Sequence, residues 1–366
     1  MNIKDMDINS IMNMKINMRR IKPFVCASLL MASAMLSSCT GGIQGKSPVI
    51  PTGDSTVVHV KLETSASYSS STRTLSSSNE NKIDNLYILV FDAEGKLVGG
   101  KYTSFATSPG QSFTSDVTVH ENAVCTICAI ANVPESAFSG VTSQKGLNAA
   151  AQNIGAATDL AGNNDIVMFG KTQPVDVSSI TDTNIPNLTL ERIAGRLDIS
   201  ITPGTGIAIT GYQLCSVPAS SYLADSTSES RYNPSGKYVD FPVVSGQKYT
   251  SSFTNIYYTY ENLAGKNANA TTQEQRITAN APANASYITI WAEGSNWKSE
   301  YKIYIGGLAD DSTDYDIERN SRYTYNIEIN GQGANDVRVI ETTAILKGST
   351  VSGWQNESGG SASGIN

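Results

Sequence analysis

The residues with the most reactive side chains are few: five cysteines and two histidines. Cys125 and Cys128 form a C-x-x-C, a spacing used by zinc sites and by dithiol redox centres. They stand in AVCTICAIANV (123–133), an apolar run that reads as a buried strand. Side chains alternate across a strand, so residues three apart point to opposite faces and cannot close on one ion. No second cysteine pair or nearby histidine completes a set, and Cys215 has no obvious partner, so neither a metal site nor a disulfide framework is expected. His59 and His120 each fall in an expected strand with no nucleophile elbow, H-E-x-x-H pair or cysteine beside them. Asp310, Asp311, Asp314 and Asp316 are spaced loosely like a calcium loop but lack its Gly at the sixth position and Glu at the twelfth, so a solvated hairpin tip is expected. Trp291, Trp297, Trp354 and Tyr257-Tyr258-Thr259-Tyr260 have the surface to stack on sugars, but alternation on strands favours packing in the core and at edges. No catalytic residue, metal or cofactor is assigned.

One thiol has a use. Lys15, Arg19, Arg20 and Lys22 precede an uncharged apolar stretch, Phe24 to Leu36, that contains Cys26 and is too short to span a bilayer comfortably. It ends in Leu36-Ser37-Ser38-Cys39, the lipobox pattern of bacterial lipoproteins. Small residues before the cysteine admit the signal peptidase, and the Cys39 thiol accepts the lipid. Residues 1–38 are therefore expected to be a lipoprotein signal peptide, and Cys39 the lipid-bearing residue. Several Met residues precede this segment, so an internal start is compatible with it. The net charge of −7 and pI near 5.0, with no basic run after the N-terminus, exclude a nucleic-acid binder that works by counterion release.

These residues sit on elements that read as β-structure. Only 16% of the 366 residues are charged, runs of strong helix formers are scarce, and 17 Tyr suit strands. After a Gly- and Pro-bearing linker (40–54), Thr56 to Leu62 begins a strand that fades into a Ser-rich, protease-accessible stretch (65–81) whose one basic residue is Arg73. Strands are expected at 83–92, apolar on both faces and hence central, and at 112–119, 123–133, 166–169 and 187–192, with a short helix or loop within 146–161. A second set is expected at 195–201, 211–217, 253–261, 287–293, 300–305, 322–330 and 339–346, followed by a polar tail. The expectation is an all-β chain of two tandem β-sandwich domains, 74–191 and 192–366, behind the signal peptide and a propeptide (39–73).

Several of these segments in order resemble the fimbrillins, the FimA-like subunits of type V pili in Bacteroides-type bacteria. They are the lipobox followed by a strand and a loop with Arg73, then DNLYILVFD (84–92), AVCTICAIANV, ERIAGRLDISI (191–201), Ile317-Glu318-Arg319-Asn320, Tyr323 to Gly333, and a last strand ending in Trp354. In ERIAGR, Gly195 takes the place just before the second Arg. The resemblance implies transthyretin-like sandwiches and a pilin mechanism. An Arg-specific protease cuts after Arg73, so that the mature chain starts at Thr74. The strand Thr56 to Leu62 leaves, and its groove takes a strand from a neighbouring subunit. The donor is implied in the stretch carrying Thr342, Ala344, Leu346 and Trp354. The tail beyond Trp354 is polar, unlike the further apolar residues of stalk subunits. Implied partners are copies of the chain, other pilus subunits, the maturation protease and host or bacterial surface ligands. The implied location is the outer membrane and then the extracellular fimbrium. A monomeric surface lipoprotein that binds glycans or host proteins is the alternative from another class, and a secreted hydrolase ranks behind both.

Overall fold

The apolar run NLYILVF places side chains on both faces of a strand, and both faces are covered. In a computed structural model describing residues 54–64, 80–120, 123–153, 166–181, 184–223, 233–307, 311–332 and 344–353, this is β2 of a chain that is nearly all strand. The described residues all lie in the unit that begins at Gly45. The first part contains β1 (Thr56–Thr64), β2 (Asn85–Phe91), β3 (Leu97–Ser104), β4 (Ser112–Val119), β5 (Val124–Ala131), the short helix α1 (Gln144–Asn148), β6 (Ala151–Asn153), β7 (Met168–Lys171), β8 (Val175–Asp176) and β9 (Asn187–Arg192). Ser143 caps α1 by accepting from the Gly146 N–H.

Strands pair in the order β2-β3-β4-β1-β9-β7-β5, and β5 pairs again with β2, so the hydrogen bonds run around a closed ring, with β8 added on β5. Leu86, Ile88 and Val90 of β2 fill the ring with Val58, Val60, Leu62, Val117, Ile127 and Leu190. Tyr87, Leu89 and Phe91 face the other way into a second cluster with Phe138, Leu147, Ile193, Tyr258 and Tyr260.

The second part contains β10 (Ala194–Pro203), β11 (Ala208–Cys215), β12 (Val217–Pro218), β13 (Ser220–Tyr222), β14 (Tyr238–Val239), β15 (Val244–Tyr249), β16 (Phe253–Tyr260), β17 (Tyr287–Glu293), β18 (Lys298–Tyr304), β19 (Ser321–Ile329) and β20 (Ala344–Gly353). Two four-stranded sheets, β16-β10-β19-β20 and β15-β11-β17-β18, enclose Leu197, Ile199, Ile209, Leu214, Ile288, Ile290, Tyr325 and Ile327. The second-part strand β13 pairs with β6, and the Tyr87 cluster takes residues from both parts.

Several details depart from the sequence reading. The last strand runs on to Gly353 rather than ending at 346. His120 lies one residue past β4, where its N–H donates to the Val98 carbonyl. The acidic stretch from Asp311 is not a solvated tip: it lies against residues 262–266, with bridges Asn262↔Ile317 and Lys266↔Asp314 and with Ser312 and Tyr315 buried. The Lys266 ammonium sits 2.7 Å from Asp311 and 3.4 Å from Asp314, and the Asp316 carboxylate accepts from the Gly265 N–H at 2.6 Å. Tyr257 and Tyr258 are buried in different clusters, and Trp291 donates to Glu300 at 3.0 Å, so these aromatics do core and edge packing.

Candidate functional site

The first strand is amphipathic by alternation, and the fold uses that. Val58, Val60 and Leu62 point into the ring and are fully buried, whereas Val57 is 56% exposed. Antiparallel to β1 runs β4, matched from Thr56↔Val119 to Glu63↔Ser112. On its other side β9 runs parallel, from Lys61↔Asn187 to Thr64↔Leu190. The outward residues make only surface contacts. His59 Nδ1 lies 2.6 Å from Asp116, Lys61 lies 2.6 Å from Glu63, and Lys61 with Asn187 holds the Glu63 carboxyl below its ordinary range. Such exposed pairs are screened by solvent and contribute little, so the buried apolar face and the backbone ladders hold β1 in place.

The walls of this groove have few other matched pairs among the described residues. Apart from β1, β4 is matched to β3 at a single pair, Gly99↔Val119. Likewise β9 is matched to β7 only at Met168↔Arg192 and Phe169↔Glu191. Without β1 the ring would present a slot lined by Val117, Val119, Leu188 and Leu190 between two strands with unpaired N–H and C=O groups.

Where the chain is next described after Thr64, at Glu80, it is anchored by charge. The Glu80 side chain is fully buried, and its Oε1 accepts from Arg196 and from the Tyr258 hydroxyl. Arg196 also donates to Asp198 at 2.7 Å, and Arg322 donates to the same carboxylate at 2.8 Å. Register explains the cluster: Arg196 stands opposite Tyr258 on β16 and Arg322 on β19, so three strands present their groups in one row. Arg192, the last residue of β9, donates from Nε to the Glu80 carbonyl at 3.1 Å, from Nη1 to Asn320 at 3.3 Å and from Nη2 to Asn81. Burial lowers the Arg192 pKa to about 10, which leaves it charged at neutral pH, and burial pushes the Tyr258 hydroxyl far up, so it remains a donor.

Two motifs singled out in the sequence therefore meet. The Asn320 N–H donates to the Ala194 carbonyl at 2.9 Å, which brings Ile317-Glu318-Arg319-Asn320 against ERIAGR. Gly195 is required by this approach, because a Cβ there would lie 2.8 Å from the Glu318 carbonyl oxygen.

Cys125 packs inside the ring and Cys128 in the Tyr87 cluster, on opposite faces of β5. Among the described residues no group of three or more His, Cys, Asp or Glu side chains gathers around a common point. Burial raises the Cys128 thiol to about 12 and the Cys215 thiol to about 11. Iodoacetamide at pH 8 should accordingly leave both unlabelled in the native chain, with intact mass showing full labelling only after denaturant exposes them.

Of the residues assigned from sequence, Ala344 and Leu346 fall on β20, in register with Ile329 and Ile327 of β19. Cys39, Arg73, Thr74, Thr342 and Trp354 lie outside the described residues. Glu80 was not anticipated, and Tyr258, Asp198 and Asn320 stood in motifs noted from sequence without this buried role.

Residues 56–211 match the family described as the major fimbrial subunit protein (FimA), a span that opens on the first residue of β1. Over that span the chain is similar to the fimbrillins. Residues 257–327 match a domain of unknown function, DUF4906. Among solved structures, the fimbrillin-like fold is shared with a candidate cell adhesion protein from Parabacteroides distasonis, at 17% identity and a TM-score of 0.58 over 82% of this chain and 96% of that one. It is shared with the tip fimbrial protein Mfa3 from Porphyromonas gingivalis, at 16% identity and 0.55 over 82% and 100%. A fimbrilin (FimA) from Porphyromonas gingivalis aligns at 11% identity and 0.54 over 81% and 95%. No curated protein matches the sequence of the fimbrillin-like chain.

Proposed function

We propose that this chain is a structural subunit of a surface fimbrium, exported as a lipoprotein on Cys39, cut after Arg73 and assembled by strand donation. The observation that carries this reading is the position of β1. An N-terminal strand with three fully buried apolar residues fills a slot whose two walls have almost no other pairing. The family match over that span and the fimbrilin fold support the fimbrial role. Its precursor is held at the outer membrane by lipid, and its product is an extracellular fibre. Strand addition supplies both backbone partners and apolar fill, so the emptied slot favours another copy or another pilus subunit over solvent. The donor is the stretch around Thr342 to Trp354, part of which is β20. No catalysed reaction belongs to this reading, and adhesion to host or bacterial surfaces would be a property of the fibre.

Intact mass and N-terminal sequencing of protein sheared from cells test it. A chain that starts at Thr74 and runs in high-mass oligomers is the expected result. A monomer still starting at acylated Cys39 and extracted only by detergent would overturn it in favour of a membrane-held binding lipoprotein.

A further inference from the structure

We propose that the buried Glu80 anchor is a positioning device that keeps the β9 wall of the groove in place once β1 has left; this rests on the strand-donation reading above. The need arises from the pairing. With β1 gone, β9 keeps two matched pairs on β7 and the close packing of Leu188 and Thr189 on Gly170, but 187–190 loses its only matched ladder partner among the described strands. Residues 187–190 would then lack a matched ladder partner on either side. Although β9 runs on through Ile193, whose N–H donates to the Val167 carbonyl, into β10, an unpaired stretch of this kind can twist away or fold into the slot it borders.

Arg192 adds a side-chain anchor at the end that is already paired. It closes β9, and its guanidinium spans the Glu80 carbonyl, Asn81 and Asn320, three contacts none of which touches β1. Glu80 is in turn gripped by Arg196 of β10 and Tyr258 of β16, so the end of the wall is tied to the second pair of sheets. Place along the chain is the second half of the argument. Glu80 lies seven positions beyond Arg73, so a cut there removes β1 and leaves every member of the anchor in the remaining chain.

The chemistry suits a positioning role better than a stabilising one. The Glu80 carboxylate is fully buried and its Oε2 has no hydrogen-bond partner, an arrangement costlier than an apolar contact of equal size. What a buried ion pair provides is a unique geometry, since the carboxylate is satisfied only where Arg196 and Tyr258 converge. An apolar plug would tolerate sliding, and a slip of one residue would turn the wall's inward face outward.

Peptide complementation tests the device. The full chain is cut with an Arg-specific protease, β1 is stripped in mild denaturant, and a synthetic peptide of residues 54–64 is titrated back. Glu80→Gln removes the charge and keeps the shape. The trimmed variant should bind the peptide at least about tenfold more weakly than the trimmed wild type, with faster amide exchange at 187–192, while the uncut variant protects β1 normally. Arg192→Lys keeps the charge but cannot span three partners, and it should behave alike, which keeps the test decisive if the first variant folds poorly. Equal peptide binding and equal exchange at 187–192 in both trimmed variants and the trimmed wild type would overturn the anchor role alone. A trimmed wild type that refuses the peptide would overturn the strand-exchange reading and the anchor role with it.

Discussion

A chain carrying Val60→Asp is expected to expel β1 from the ring and to lose about 4 kcal/mol or more of the stability that strand confers. Val60 is fully buried, midway between Val58 and Leu62, opposite Ser115 on β4. A carboxylate introduced there would meet the apolar cluster of Val117, Ile127 and Leu188, in which none of the described residues is a cation. Release is open to β1 because it is joined to the body through residues 65–79 and its outward contacts are weak surface pairs. The distinguishing observation is therefore local. Amide exchange and protease sensitivity should rise over 54–64 and along 112–119 and 187–190, while the second pair of sheets keeps its protection. Val57→Asp on the exposed side of the same strand is the control and should shift stability by less than about 0.5 kcal/mol. Equal effects from the two would mean that the inward face of β1 does not hold it.

The second large effect is expected at Arg196. Arg196→Ala removes the cation that serves both Glu80 and Asp198, leaving Glu80 with only the Tyr258 hydroxyl among its side-chain partners described here. Breaking a buried ion pair from one side costs about 3–5 kcal/mol, because the remaining charge stays desolvated. Urea unfolding should show that loss as a lowered midpoint at unchanged slope. Arg322→Ala should cost less, since Asp198 keeps Arg196. Replacing Glu80 and Arg196 together by Ala should cost less than the sum of the single changes, the coupling expected of residues in direct contact.

Much of this architecture is written in residue alternation. NLYILVF announced a strand covered on both faces, and the C-x-x-C was correctly read as two core thiols, because period-two geometry alone sends Cys125 and Cys128 apart. Thr56 to Leu62 was visible as a strand, but its neighbours were not. Parallel pairing with β9 joins residues more than 120 positions apart, and local pattern carries no information about such partners. The far edge of the last strand moved because Ala-Ile-Leu-Lys-Gly-Ser-Thr-Val has no regular alternation, and the structure accommodates it with a shift in register between Tyr325 and Ile327. The anchor was half legible. Arg196 and Asp198 alternate with Leu197 and Ile199 in GRLDISI, which marks one face of β10 as charged and still buried. Glu80 gave no such sign, being a lone acid at the end of a Ser-rich stretch, and its burial follows only from three strands bringing Arg196, Tyr258 and Arg322 into one row.

The mixed pairing of β1 bears on the direction in which any replacement strand would enter the slot. Since β1 is antiparallel to β4 and parallel to β9, the two walls themselves run in opposite directions. A segment entering the slot head-first or tail-first would therefore find one wall aligned with it and one opposed. Backbone hydrogen bonding is nearly indifferent between the two, and the inward triplet Val58, Val60 and Leu62 reads almost the same from either end. Under the proposed strand donation, the orientation of an inserted segment would then depend on side chains at its ends and on where the donor joins its own subunit. Lys61 and Glu63, beside Asn187 at one end only, mark the asymmetry that an incoming strand would have to match.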